Sequence, residues 1–119
     1  MQKIWVCGAR GQIGQAVNDV VYKLEFEMLD TDVDDLDVTD TDEVLRFGEM
    51  NRPDIIINCS GMTDISSCEE NPSQAFKVNA LGARNLAIVA AKMQAKMVQL
   101  STDDVFDGKS TEPYTEFDI

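Results

Sequence analysis

Apolar residues along the chain alternate between two kinds of run. Lys3-Ile4-Trp5-Val6-Cys7 is short and nearly continuous, whereas Ile13, Ala16, Val17, Val20 and Val21 recur at the spacing of one helix face. The first pattern predicts a strand from about Gln2 to Cys7, and the second a helix from about Gln12 to Lys23. Glu25 to Asp30 reads as a short second strand, and Leu36 to Val38 as a third. Thr39 with Asp42 marks a helix start, Val44 and Phe47 give that helix an apolar face, and Pro53 stops it. Asp54-Ile55-Ile56-Ile57-Asn58-Cys59-Ser60 suits a strand buried on both faces, as in a parallel sheet. Asn71-Pro72-Ser73-Gln74 combines a capping residue, proline at the first helical position and glutamine at the third. A helix is expected from there to about Met93. Gly82 inside it costs about 1 kcal/mol against alanine, so close packing is expected at that point. Lys96 to Leu100 is a last strand, followed by a loop at Asp107-Gly108-Lys109-Ser110 and an irregular Pro113-Tyr114-Thr115-Glu116. This alternation predicts an α/β fold, a doubly wound parallel sheet of about five strands in order 3-2-1-4-5 with helices on both faces.

Between the first strand and its helix lie Gly8, Gly11 and Gly14, spaced three apart. A turn without β-carbons lets backbone N–H groups approach a phosphate, and the helix N-terminus adds unpaired donors and a positive dipole end. The triplet alone is a weak signal; strand before it and helix after it make it a candidate pyrophosphate site. A tight turn with close helix–strand packing is the plainer alternative. Asp30 lies 22 positions after Gly8, close to the ~20-residue offset at which an acid bonds an adenosine ribose. A carboxylate there favours NAD over NADP, while Arg10 inside the turn pulls the other way. Three strand ends, Cys7-Gly8, Ser60-Gly61 and Ser101-Thr102, would converge on one edge of such a sheet.

Composition narrows the classes. The 119 residues carry 22 acids against 10 bases, a net charge of −12, and no histidine. That sign argues against nucleic acid or an anionic membrane surface as partner, and histidine-based catalysis or metal ligation is excluded. No apolar run reaches membrane-spanning length, and the chain enters a strand at once rather than a signal peptide. Cys7, Cys59 and Cys68 lack metal-like spacing and read as reduced thiols of a cytoplasmic protein. Asp30, Asp32 and Asp34 resemble the start of a calcium loop, but Asp35 stands where glycine is needed and Thr41 where glutamate is needed. No metal site is expected.

Taken together, the motifs resemble the extended short-chain dehydrogenase/reductase superfamily and, within it, the dTDP-4-dehydrorhamnose reductases. The matching segments include Gly8 to Gly14, Leu36 to Asp40, Arg52 to Asn58, Phe76 to Gly82, Asn85-Leu86-Ala87 and Pro113 to Glu116. Ser101-Thr102-Asp103-Asp104-Val105-Phe106-Asp107-Gly108 is the most discriminating of them. The resemblance implies an NAD(P)-binding Rossmann domain over residues 1–119. It implies a cofactor-binding set of Gly8, Arg10, Gly11, Gln12, Ile13 and Gly14, of which Gly11, Gln12 and Ile13 bind the pyrophosphate region, with Asp30 at the adenosine ribose. Asp37 and Val38 would flank the adenine, and Gly61, Met62 and Thr63 would line the path to the nicotinamide. Thr102 matches the family's catalytic hydroxyl, and Asp103 would sit beside a dTDP-sugar. Asp104, Ser60 and Ser66-Ser67-Cys68 depart from the family's pattern, which bears on substrate more than on cofactor.

The family's proton donor is a tyrosine followed four residues later by lysine. Here Tyr22 is followed by Phe26 and Tyr114 by Asp118, so neither serves. The resemblance therefore implies the N-terminal cofactor domain of a longer reductase, catalytically incomplete alone, with a homodimer possible. Its reaction would be hydride transfer from NAD(P)H to the 4-keto group of dTDP-4-dehydro-6-deoxy-L-mannose. A non-catalytic NAD(P)-binding regulatory module, and another nucleotide-sugar epimerase or dehydratase of the superfamily, stand as alternatives. Without a sixth strand beside it, the last strand (about Met97 to Ser101) is expected to be an open edge.

Overall fold

A computed structural model describes all residues, Met1–Ile119. Its centre is a parallel sheet of β1 (Gln2–Cys7), β2 (Phe26–Thr31), β3 (Ile55–Asn58) and β4 (Lys96–Gln99), in the order β2-β1-β3-β4. Register is continuous across it: Trp5 lies beside Leu29 and Ile56, and Ile56 beside Met97. Helices α1 (Gln12–Val20), α2 (Thr41–Asn51), α3 (Ile65–Glu70), α4 (Pro72–Phe76) and α5 (Gly82–Met93) make the connections. The fold is the expected Rossmann-like one, with helices on both faces and four strands instead of five. As expected, β4 is an edge strand, paired only with β3.

The two faces are unequally packed. On one, Val44 and Phe47 of α2 and Leu86, Val89 and Ala90 of α5 cover Trp5, Cys7 and Ile56. Trp5, Val44, Ile56 and Leu86 have no exposed surface at all. The Trp5 ring lies 4.5 Å from that of Phe47, and its Nε1–H donates to the buried Thr31 hydroxyl at 2.8 Å. On the other face only Val17 and Val21, from α1 and its end, pack over Ile4, Val6, Ile55 and Ile57. Ile13 and Val20 stay exposed, so the apolar stripe of α1 is only partly used.

The third strand expected at Leu36 to Val38 is absent. Carboxylates satisfy the backbone there: Asp35 accepts from the Asp32 amide, Asp37 from Thr39, and Asp40 from Glu43. Such local bonds compete with a sheet ladder. Leu36 is buried in the main core and Val38 packs against it, so the alternation that suggested a strand is a pair of core plugs.

Other boundaries moved for local reasons. α1 stops at Val20 because Val21 is already extended, and α2 is capped by Asp40 rather than Thr39. β2 runs one residue later than expected, to Thr31. The helix expected from Asn71 to Met93 is α4 and α5 joined through one π-helical stretch, Lys77–Leu81. Asn71 makes no side-chain cap; its amide bonds the Ser67 carbonyl instead. Gly82 packs as expected, since a β-carbon there would lie 2.9 Å from Val38 Cγ2. The short α3, capped by Asp64, was not foreseen.

Burial pushes the Cys7 thiol up to about 12. The folded state thus holds this proton more tightly than the unfolded one. Its contribution to stability is intact below the ordinary thiol value of 9 and is lost as pH rises toward 12. Denaturant unfolding between pH 9 and 10.5 should fall by up to roughly 1.4 kcal/mol per pH unit more steeply for the parent chain than for Cys7→Ala. Equal slopes would contradict that assignment.

Candidate functional site

Because all strands are parallel, the ends of β1, β2 and β3 at Cys7, Thr31 and Asn58 open on the same edge. Strand order reverses direction between β1 and β3, the place where a crevice forms in such sheets. The chain turns out of β1 at Gly8, whose φ of +73° favours glycine. A β-carbon on Gly8 would lie 2.7 Å from the Cys59 carbonyl oxygen and the Ser60 nitrogen, so the turn presses directly on the end of β3. Gly14 is buried beneath the turn, with no room for a β-carbon against the Gly8 carbonyl and Ala9. Gly11 then caps α1 in an extended conformation and supplies no side-chain acceptor. The first-turn amides of α1 have no intrahelical partner by construction, and here no cap takes them. Uncapped amides at a helix start are the usual donors to an anion.

Two cavities open along this edge, of about 730 and 660 Å³. They share Cys59, Ser60, Gly61 and Met62, so they form two lobes of one crevice. The first is lined by Gly8, Arg10, Gly11, Asp37, Val38, Gly61 and Met62 of the expected residues. The second takes Ile13, Gly61, Met62, Thr63 and Thr102. Gln12 is exposed at the start of α1 and lines neither lobe, and Gly14 acts from below. Asp103 is exposed beside Thr102 in a single 3₁₀ turn, Asp103–Val105. Thr102 caps that turn: its hydroxyl accepts from the Asp104 amide at 3.2 Å and donates to Asp103 Oδ1 at 3.3 Å.

Asp30 is not on the crevice. Its side chain accepts from Asn18 Nδ2 of α1 at 2.9 Å, on the outer edge strand. The acid lining the first lobe at the end of β2 is Asp32, two residues on. Its Oδ2 accepts from the Arg10 amide and its Oδ1 from the Val33 amide, both at 2.8 Å. The acidic run offered several candidates at nearly the same offset, and only the point where β2 ends distinguishes them. Across the lobe, the Thr39 hydroxyl and amide bond the Asp37 carboxylate and hold it below the usual carboxylate range. Asp37 therefore stays charged through the neutral range.

Sequence reasoning missed a second group, which shapes the walls. Asn85, buried on α5, donates to the Val38 carbonyl at 2.9 Å and accepts from the Thr41 hydroxyl at 3.2 Å, tying the loop before α2 to the core. Asn79, in the π stretch, brackets Met62: it accepts from the Met62 amide at 2.7 Å and donates to its carbonyl at 3.0 Å. Met62 belongs to both lobes, so Asn79 fixes their junction. Asn79→Ala should cost only about 1 kcal/mol, since both bonds are exposed to water, but should speed exchange of the Met62 amide at least tenfold. An unchanged rate would show that the loop holds itself.

The crevice combines uncapped backbone donors at the start of α1 with apolar wall at Val38 and Met62. Neither lobe contains a cluster of residues able to hold a metal ion. No helix is long and apolar enough to cross a membrane.

A family model described as the RmlD substrate binding domain matches residues 1–119. Among curated relatives, the dTDP-4-dehydrorhamnose reductase of Aggregatibacter actinomycetemcomitans is 33% identical over 100% of this chain and 41% of its own length. The spore coat polysaccharide biosynthesis protein SpsK of Bacillus subtilis is 31% identical over 99% of this chain and 42% of its own. The crystal structure of a dTDP-4-dehydrorhamnose reductase from Clostridium acetobutylicum superposes with a TM-score of 0.94 at 42% identity, covering 99% of this chain and 42% of that one. Its counterpart from Bacillus anthracis, in complex with NADP, gives 0.93 at 34% identity, with the same coverage. The chain spans about two-fifths of the length of these relatives. Matched along its whole length by the RmlD substrate binding domain, it belongs to the dTDP-4-dehydrorhamnose reductase family.

Proposed function

We propose that the chain is the NAD(P)H-binding part of a nucleotide-sugar reductase acting on the 4-keto group of dTDP-4-dehydro-6-deoxy-L-mannose. The observation that carries this reading is the uncapped N-terminus of α1, set by Gly8, Gly11 and Gly14 against a two-lobed crevice. The amides after Gly11 take the pyrophosphate, with Gln12 and Ile13 at its edge. Asp32 takes the ribose role that the sequence offset gave to Asp30. Asp37 and Val38 border the adenine, and Gly61, Met62 and Thr63 lead into the second lobe. When bound, the reduced nicotinamide supplies the hydride. Thr102, at the mouth of that lobe, donates a hydrogen bond to the ketone oxygen of the sugar, and Asp103 lies next to the sugar. No Tyr-x-x-x-Lys pair occurs in the 119 residues, so the chain by itself binds nucleotide and reduces nothing.

Titration with NADH and NADPH, read by calorimetry and amide exchange, tests this. Saturable binding of one equivalent with protection at Gly11 to Ile13 is expected, and no oxidation of the nucleotide when the keto sugar is added. Failure of both nucleotides to bind, or protection confined to another region, would sink the reading. In a protein that supplies the proton donor, Thr102→Val should lower kcat about 100-fold; an unchanged kcat would leave Thr102 as a turn cap.

A further inference from the structure

Arg10 is the single cationic residue lining the first lobe, and it is already engaged. Its guanidinium pairs with Asp34 at 2.9 Å and with Asp35 at 3.5 Å. Asp35 is itself anchored, since its Oδ2 accepts from the Asp32 amide at 2.9 Å. Asp32 is fixed through both oxygens by backbone amides, one of them that of Arg10. The glycine turn and the end of β2 are thereby locked into one charged knot.

Adenosine riboses are sorted at this position of a doubly wound fold. A carboxylate bonds the free 2′-hydroxyl, and an arginine accommodates a 2′-phosphate. Both residue types are present here, so their arrangement decides. We propose that the chain prefers NAD(H) to NADP(H), because Asp34 and Asp35 withhold Arg10 while Asp32 presents a fixed carboxylate to the ribose. This rests on the cofactor reading above. A 2′-phosphate has to draw Arg10 from two partners and then sit among Asp32, Asp34 and Asp35. The two ion pairs are half or more exposed, so each is weak and screened. Repulsion between the phosphate and three nearby carboxylates is the larger part of the discrimination. It is strongest at low ionic strength.

The test is calorimetric titration of the full chain with NADH and with NADPH, at about 20 mM and 300 mM salt. NADH should bind at least tenfold more tightly at low salt, with the gap narrowing at high salt. The double variant Asp34→Asn/Asp35→Asn frees Arg10 and should raise NADPH affinity relative to NADH about tenfold. Adding Arg10→Ala to it should remove that gain. Unfolding midpoints and circular dichroism confirm that each variant is folded; Asp34→Asn alone, whose carboxylate holds no backbone amide, serves if the double variant is not. NADPH binding as tightly as NADH in the parent chain would overturn the preference, as would an unchanged ratio in the charge variants. Absence of binding by either nucleotide would instead overturn the cofactor reading itself, and this proposal with it.

Discussion

Replacing Gly14 with alanine should destabilise the chain by about 3 kcal/mol, at the upper end of what overpacking usually costs, and should abolish nucleotide binding. The atoms that a β-carbon would meet are the Gly8 carbonyl and the Ala9 backbone, which cannot rotate away as a side chain would. Relief requires lifting α1 off the end of β1, which carries its first-turn amides away from the crevice. Gly108→Ala is the matching control. Gly108 also has a positive φ, of +74°, but nothing lies within 4 Å of a β-carbon there. That variant should pay only for the left-handed backbone, about 1 kcal/mol. Urea unfolding and NADH titration of both would decide. If Gly14→Ala binds normally, the turn adjusts without moving α1, and the proposed phosphate seat is misplaced.

Trp5→Ala should cost about 3–5 kcal/mol, a large share of the roughly 5–15 kcal/mol that holds a typical domain together. Trp5 occupies the centre of the sheet, fully buried between β2 and β3 and against Phe47. Truncation empties that space and strands the buried Thr31 hydroxyl, whose partner is the indole N–H. Trp5→Phe separates the two effects. It keeps most of the packing and should lose about 1–2 kcal/mol. Thermal melts followed by far-ultraviolet dichroism give both numbers. A Trp5→Ala chain melting within a few degrees of the parent would mean that α2 and α5 collapse into the vacancy.

How far the fold could be read from the sequence depended on whether one segment decided its own conformation. β1, β3 and β4 were legible because apolar runs bounded by glycine, proline or polar residues admit few alternatives. The glycine turn was legible because Gly8, Gly11 and Gly14 leave backbone donors where α1 begins. Leu36 to Val38 was not, because its alternation is shared by a strand and by two plugs in an irregular loop, and only the carboxylate bonds of Asp32 to Asp40 choose between them. That Asp32 rather than Asp30 lines the crevice was illegible for a related reason. A fixed offset along the chain ignores where the strand ends, and Thr31 places the turn one residue later. Asn79 and Asn85 carried no local signal at all. Each acts across more than 15 positions, on Met62 and Val38 respectively, so their roles exist only once the elements are assembled.

The lopsided packing of the sheet bears on how the nucleotide is held. α2 and α5 clamp one face, while α1 rests on the other through Val17 with Ile13 and Val20 open to water. The element that offers the phosphate donors is thus more lightly tied to the sheet than α2 and α5 are. It can fray and re-form while the main core stays shut. A bound nucleotide would then act as a local splint, slowing the opening of α1 many-fold while hardly touching the amides of β3 and α5. Affinity would fall faster with temperature than global stability does, because warming loosens the seat before it melts the house.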